Sequence, residues 1–69
     1  MSPKFPYQQV ADDLRAKIET GKLTGQLPSR ARLAETYGVS DMTVGAALRV
    51  LKEAGLVESV PGLGVYVKT

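Results

Sequence analysis

The 69-residue chain carries 9 Lys and Arg against 7 Asp and Glu, a net charge of +2, and its size is near the lower limit for a self-supporting core. With no cysteine and no histidine, it has neither disulfides nor thiolate metal sites, and it lacks the commonest general base. Only scattered carboxylates remain for catalysis, so we expect a non-enzyme with no catalytic, cofactor-binding or metal-ligating residue. A pI near 9.2 is a mild lean towards polyanions. No apolar run is long enough to span a membrane, and the Met1-Ser2-Pro3-Lys4 start has no signal-peptide core. A cytoplasmic chain without a membrane partner is therefore expected.

Residues 1–5 read as a flexible leader and residues 6–69 as one domain. Pro6 suits the first turn of a helix, where its missing N–H costs nothing. Tyr7, Val10, Ala11, Leu14 and Ile18 then recur at i, i+3, i+4, i+7 and i+11, the mark of an amphipathic helix of roughly 14 residues. Asp13 and Lys17 form an i,i+4 pair in the favourable order, and Gly21 is placed to stop the helix. Lys22 to Leu27 is a short linker, a candidate brief strand anchored by Leu23 and Leu27. Pro28 forces an extended approach, and Ser29 caps a second helix over 30–37, with Leu33, Ala34 and Tyr37 inward.

Gly38 can take the left-handed backbone that ends that helix, Val39 is an apolar plug, and Ser40 is the N-cap of a third helix to about Ala54. Val39 and Val44 hold the hydrophobic-staple positions. Val44, Ala47, Leu48 and Leu51 recur at helical spacing, which buries one face and leaves the other open. Gly55 ends this helix. Residues 56–60 and 65–68 are β-rich and flank Pro61-Gly62-Leu63-Gly64, a hairpin with a glycine-rich tip. Tyr37 and Tyr66 read as core aromatics. The expected fold is mainly α with a small β-hairpin: a winged helix-turn-helix of three helices plus a two-stranded wing. A short helix held across a Gly turn with one face open fits a DNA major groove.

From Tyr7 to Val67 these residues resemble the N-terminal DNA-binding domain of the GntR family of transcription factors. Tyr7 to Asp12 with Leu14, Arg15, Ile18 and Gly21 is similar to the family's first helix. Leu27-Pro28-Ser29 followed by Leu33-Ala34 is similar to its Leu-Pro-Ser-Glu-x-x-Leu-Ala signature. Gly38-Val39-Ser40, Thr43-Val44, Ala47-Leu48, Leu51, Gly55-Leu56-Val57 and the Gly62-Leu63-Gly64 wing complete the likeness. Any one piece is weak, but all of them in order are specific. The resemblance implies a bacterial regulator, a repressor by preference. Its third helix would enter the major groove and its wing the minor groove, with a dimer bound to a palindromic double-stranded operator. It further implies a C-terminal effector-binding or oligomerisation domain, the expected seat of homodimer formation, which would begin where this chain stops.

The departures from the family pattern concern charge. Asp41 stands where the family usually has Arg, and Gly45 where it has Arg after Thr-Val. Leu63 stands between the wing glycines in place of Arg, and Val65 follows them in place of Thr. Arg30 replaces the Glu after Pro-Ser, with Ala31 in the place of a frequent Arg and Arg32 one step on. The linker before Leu27 is about two residues shorter than the family norm.

Each candidate contact has a structural reading beside the functional one. Ser29 and Ser40 are caps first, and phosphate sites second. Asp41 opposes the helix dipole, worth roughly 0.3–1 kcal/mol, or accepts from a cytosine amino group. Gly45 in mid-helix costs about 0.5–1 kcal/mol relative to Ala, which a close DNA or protein surface would offset unless the glycine is a neutral accident. Met42 and Ala46 suit thymine methyls or a protein partner, and Thr43 suits a phosphate or the cap. Arg30, Arg32 and Arg49 are the cations placed to replace the family's arginines; Lys52, further along the helix, is the weaker candidate. Gly62 and Gly64 serve the turn, and Gly64 also permits close approach to the minor-groove floor. Leu63 is an apolar wedge, a dimer contact, or a residue packed on its own domain. Sequence-specific duplex binding is the leading function. The alternative is a winged-helix interaction or dimerisation module that has given up DNA, motivated by Asp41, Met42, Gly45 and Leu63.

Overall fold

The structure, a computed structural model, describes residues 5–68. The expected leader therefore lies outside the described residues except for Phe5, which is the N-cap of the first helix. Helix α1 runs Pro6–Glu19. Proline occupies its first turn, and the Gln8 side chain turns back to accept from the Phe5 amide at 3.2 Å, half of a capping box. The Thr20 hydroxyl closes the other end, donating to the Ala16 carbonyl at 2.8 Å.

Helix α2 spans Arg30–Tyr37, and Ser29 Oγ accepts from the Arg32 amide at 3.2 Å. It ends at Gly38, whose φ of 65° lies in the left-handed region where side chains are costly. Helix α3 spans Asp41–Glu53. Ser40 Oγ accepts from the Thr43 amide at 3.1 Å and lies 2.9 Å from the Thr43 hydroxyl. Thr43 thus reinforces the cap. Strands β1 (Val57–Val60) and β2 (Gly64–Val67) pair antiparallel, with Val57 opposite Val67 and Val60 opposite Gly64. The starts and ends of all three helices fall within a residue of the sequence expectation.

The linker supplies a third short edge to this hairpin. Gln26 bridges to Tyr66, the Leu27 amide donates to Val65 O at 2.8 Å, and the Val67 amide donates to Gly25 O at 2.8 Å. The expected brief strand is thus a single bridge with two flanking bonds, fixing the wing to the segment that leads into α2.

Helix α3 is the hub, packing against α1, α2 and β1. Val44, Ala47, Leu48 and Leu51 of α3 are buried with Val10, Ala11 and Leu14 of α1, Leu27, Leu33 and Val57. Val44, Leu14 and Leu51 are the largest fully enclosed side chains, each worth about 1.5–3 kcal/mol of burial. Val39 packs at the core's margin beside Tyr37. The Tyr37 hydroxyl donates to Asp13, while Lys17 Nζ lies 3.0 Å from the Asp13 carboxylate and 3.4 Å from the Tyr37 oxygen. This network ties the end of α2 to α1. Tyr66 departs from expectation. Val65 and Val67 pack against the core, so the two-residue period of the strand turns Tyr66 to the opposite face. Tyr66 is a wing residue.

Candidate nucleic-acid interface

With its apolar stripe committed to the core, α3 turns Met42, Gly45, Ala46 and Arg49 outward, a set at i, i+3, i+4 and i+7 that shares one face. Met42 is 82% exposed, so the face is open to its rim. These four residues and Arg30 line a shallow depression of about 360 Å³.

Arg30 enters from α2, where it is the first helical residue. Its Nη1 lies 3.6 Å from the Asp41 carboxylate. The position a Cβ on Gly45 would occupy is 3.4 Å from its Cζ, 3.5 Å from Nη1 and 3.6 Å from Nη2. Three nearly equal distances mean that the guanidinium lies face-on to this Cβ position, at ordinary van der Waals range from it. Both members of the ion pair are more than half exposed, so the pair contributes at most about 1 kcal/mol to stability. Its consequence is positional: three residues that the sequence offered as separate contacts form one unit across the helix-turn-helix.

The wing is fixed on the other side. Gln26 Nε2 donates to the Leu63 carbonyl at 2.6 Å, and the Leu63 amide donates to Val60 O at 3.0 Å. Gly64 has φ 123°, and a Cβ there would stand 3.0 Å from Gln26 Nε2. Any side chain at this position would both strain the backbone and push the fastening away. Leu63 is therefore held by its backbone, with its side chain 62% exposed; it does not pack back on the domain. Between wing and helices lies a second groove of about 340 Å³, lined in part by Ser29, Arg30, Lys52, Ser59, Leu63 and Gly64.

Ser29, Arg30, Leu63 and Gly64 thus share the wing groove, and Arg30, Met42, Gly45 and Arg49 share the α3 depression. Arg30 belongs to both. Ser40 and Thr43 sit at the start of α3 as its cap, next to Asp41. Arg32 goes elsewhere, lining a separate hollow with Glu35 and Thr36. One participant, Gln26, has no local signal, and Lys52, the weaker candidate of the sequence, is better placed than expected. Gln26 acts through its contact with a turn 37 residues away, which no spacing rule reveals. Lys52 follows Leu48 by four residues, so helical periodicity would have placed it beside the wing groove.

Residues 6–67 match the family described as bacterial regulatory proteins, gntR family. The mannosyl-D-glycerate transport/metabolism system repressor MngR of Escherichia coli K12 is 43% identical over 70 aligned positions, covering 99% of this chain and 29% of the relative. The transcriptional repressor NagR of Bacillus subtilis 168 is 38% identical over 68 positions, covering 96% and 28%. The chain spans less than a third of either relative. Among solved structures, the AraR DNA-binding domain in complex with operator ORX1 superimposes with a TM-score of 0.86 at 34% identity, covering 99% of this chain and 82% of that one. The chain belongs to the gntR family of bacterial regulatory proteins and has that family's winged helix-turn-helix fold.

Proposed function

We propose that this chain is the operator-binding part of a bacterial transcriptional repressor, with no catalytic role. Helix α3 enters the major groove of double-stranded DNA by its Met42–Arg49 face, and Leu63 and Gly64 of the wing approach the adjacent minor groove. Ser29, Ser40 and Thr43 take phosphates at the capped helix starts, where free amides favour anions; Arg32 and Lys52 add flanking charge. The full-length protein binds a palindromic operator as a homodimer, through a further domain like the remainder of its relatives.

The observation that carries this reading is the open α3 face flanked by the fastened wing. It is supported by the likeness to a DNA-binding domain solved on its operator. A selection from a random duplex library should enrich one sequence. With about 3–5 phosphates neutralised, log K should fall against log salt with a slope of about −3 to −5. Binding should weaken on Arg49→Ala and on Arg30→Ala. If the library enriches nothing and the salt response is flat, the reading is overturned in favour of a protein-interaction module presenting Met42 and Leu63.

A further inference from the structure

We propose that Arg30, although it belongs to α2, is the base-reading arginine of the α3 face, and that Asp41 and Gly45 exist to place it there. This rests on the duplex-binding reading above. Against the family pattern the acid and base have exchanged helices: a cation at 30 replaces Glu, an anion at 41 replaces Arg. In this chain the two exchanged charges face each other at 3.6 Å. In the same chain the other α3 arginine position is Gly45, and the Arg30 guanidinium lies 3.4–3.6 Å from where its Cβ would stand, in the space that a side chain longer than alanine would need.

The three changes make sense together. An aspartate in the first turn of α3 would repel phosphate unless a cation covered it. An arginine from α2 can lie along α3 only where the α3 residue is no larger than alanine, because anything longer than a Cβ at position 45 would enter the space the guanidinium occupies. With the Asp41 carboxylate facing Nη1 as an ion pair at 3.6 Å, the Nε–Nη2 edge of the planar fork remains for a ligand. A forked N–H pair on a helix face entering the major groove matches the O6 and N7 acceptors of guanine, which no other base presents together. The depression that Arg30 shares with Met42, Ala46 and Arg49 places this fork beside the second cation of the face. The specificity of this face is therefore for a guanine read from α2, flanked by contacts from Met42 and Arg49.

Parallel library selections and salt titrations on wild type, Arg30→Lys, Arg30→Ala and the double variant Arg30→Ala/Asp41→Ala test this. The wild type should enrich a site with a guanine in each half. Arg30→Lys keeps the charge but not the fork, so that guanine should lose its preference by about 5- to 150-fold while the salt slope stays. Arg30→Ala should do the same and remain weak when Asp41 is also removed. If Arg30→Ala instead weakens all sequences equally, the residue is a phosphate contact and the proposal falls. If the double variant regains wild-type specificity, Arg30 is a mere counter-ion and the proposal falls again. A wild type that enriches nothing refutes the duplex-binding reading itself, a distinct result. The Arg30 and Asp41 side chains are more than half exposed, so each variant should remain folded at the temperature of the binding assay, which its thermal melt checks and which separates these outcomes from unfolding.

Discussion

Gly45→Ala should stabilise the free domain and leave its fold unchanged. A glycine in a helix interior costs about 0.8–1 kcal/mol relative to alanine, from the backbone freedom it loses on folding. The new methyl would meet Arg30 Cζ at 3.4 Å, the near edge of ordinary van der Waals contact. That neighbour is the end of a long side chain more than half exposed, which can give by a few tenths of an ångström. Most of the propensity gain should survive, about 0.5–1 kcal/mol. For a domain of 60–100 residues, 1 kcal/mol moves the thermal midpoint by about 4–8 °C. A rise of about 2–8 °C in a circular-dichroism melt is therefore expected, with the same gain in an Arg30→Ala background. A midpoint that falls would mean that the seat of Arg30 on Gly45 stabilises the domain more than helix propensity does, and would refute the reasoning. A gain in wild type much smaller than in Arg30→Ala would locate the lost part in that contact.

Leu51→Ala removes one of the largest enclosed side chains and should cost about 2–5 kcal/mol. A 69-residue chain holds only about 3–10 kcal/mol in total, so urea denaturation should find this variant largely unfolded at moderate temperature. Ser40→Ala deletes the acceptor for the Thr43 amide and should cost about 1 kcal/mol, measured by the shift in urea midpoint at unchanged slope. Asp13 is held below its usual carboxylate range, first by the Tyr37 hydroxyl and then by Lys17. Its folded pKa lies below its unfolded one, so its contribution is full above the unfolded pKa near 4 and lost as pH falls through the folded value. Asp13→Asn should flatten stability against pH below about 4 while leaving the profile between pH 6 and 8 unchanged; a profile identical to wild type in acid would show that this network does not couple to folding.

The helices were legible because each is punctuated by residues whose local chemistry leaves few alternatives. Ser29 and Ser40 are caps, Pro6 is a first-turn residue, and Gly38 is a left-handed stop with φ 65°. The apolar spacing of α3 then fixed which face would be buried. For Tyr66 aromatic character suggests burial, while its inward neighbours Val65 and Val67 decide which face it takes. In a four-residue strand, the pleat outranks hydrophobicity. The bond from Gln26 to Leu63 was invisible for a different reason: it joins linker and wing tip across 37 residues, and only the folded register brings them together.

The charge pattern shows where residue-by-residue reading stops. Taken singly, Asp41 is a first-turn carboxylate, Gly45 a weak spot in a helix, and Arg30 a solvated cation, and each has an adequate bland account. Helical spacing cannot relate them, because Arg30 lies on another helix across a turn. Once α2 and α3 are packed, the bland accounts cease to be independent: the carboxylate has a cation 3.6 Å away, and the glycine has a guanidinium on its open side. Arginines missing from α3 therefore do not amount to a reading face without charge. A cation from the neighbouring helix lies over this face, and the residues at 41 and 45 are an acid that can pair with it and a residue too small to displace it.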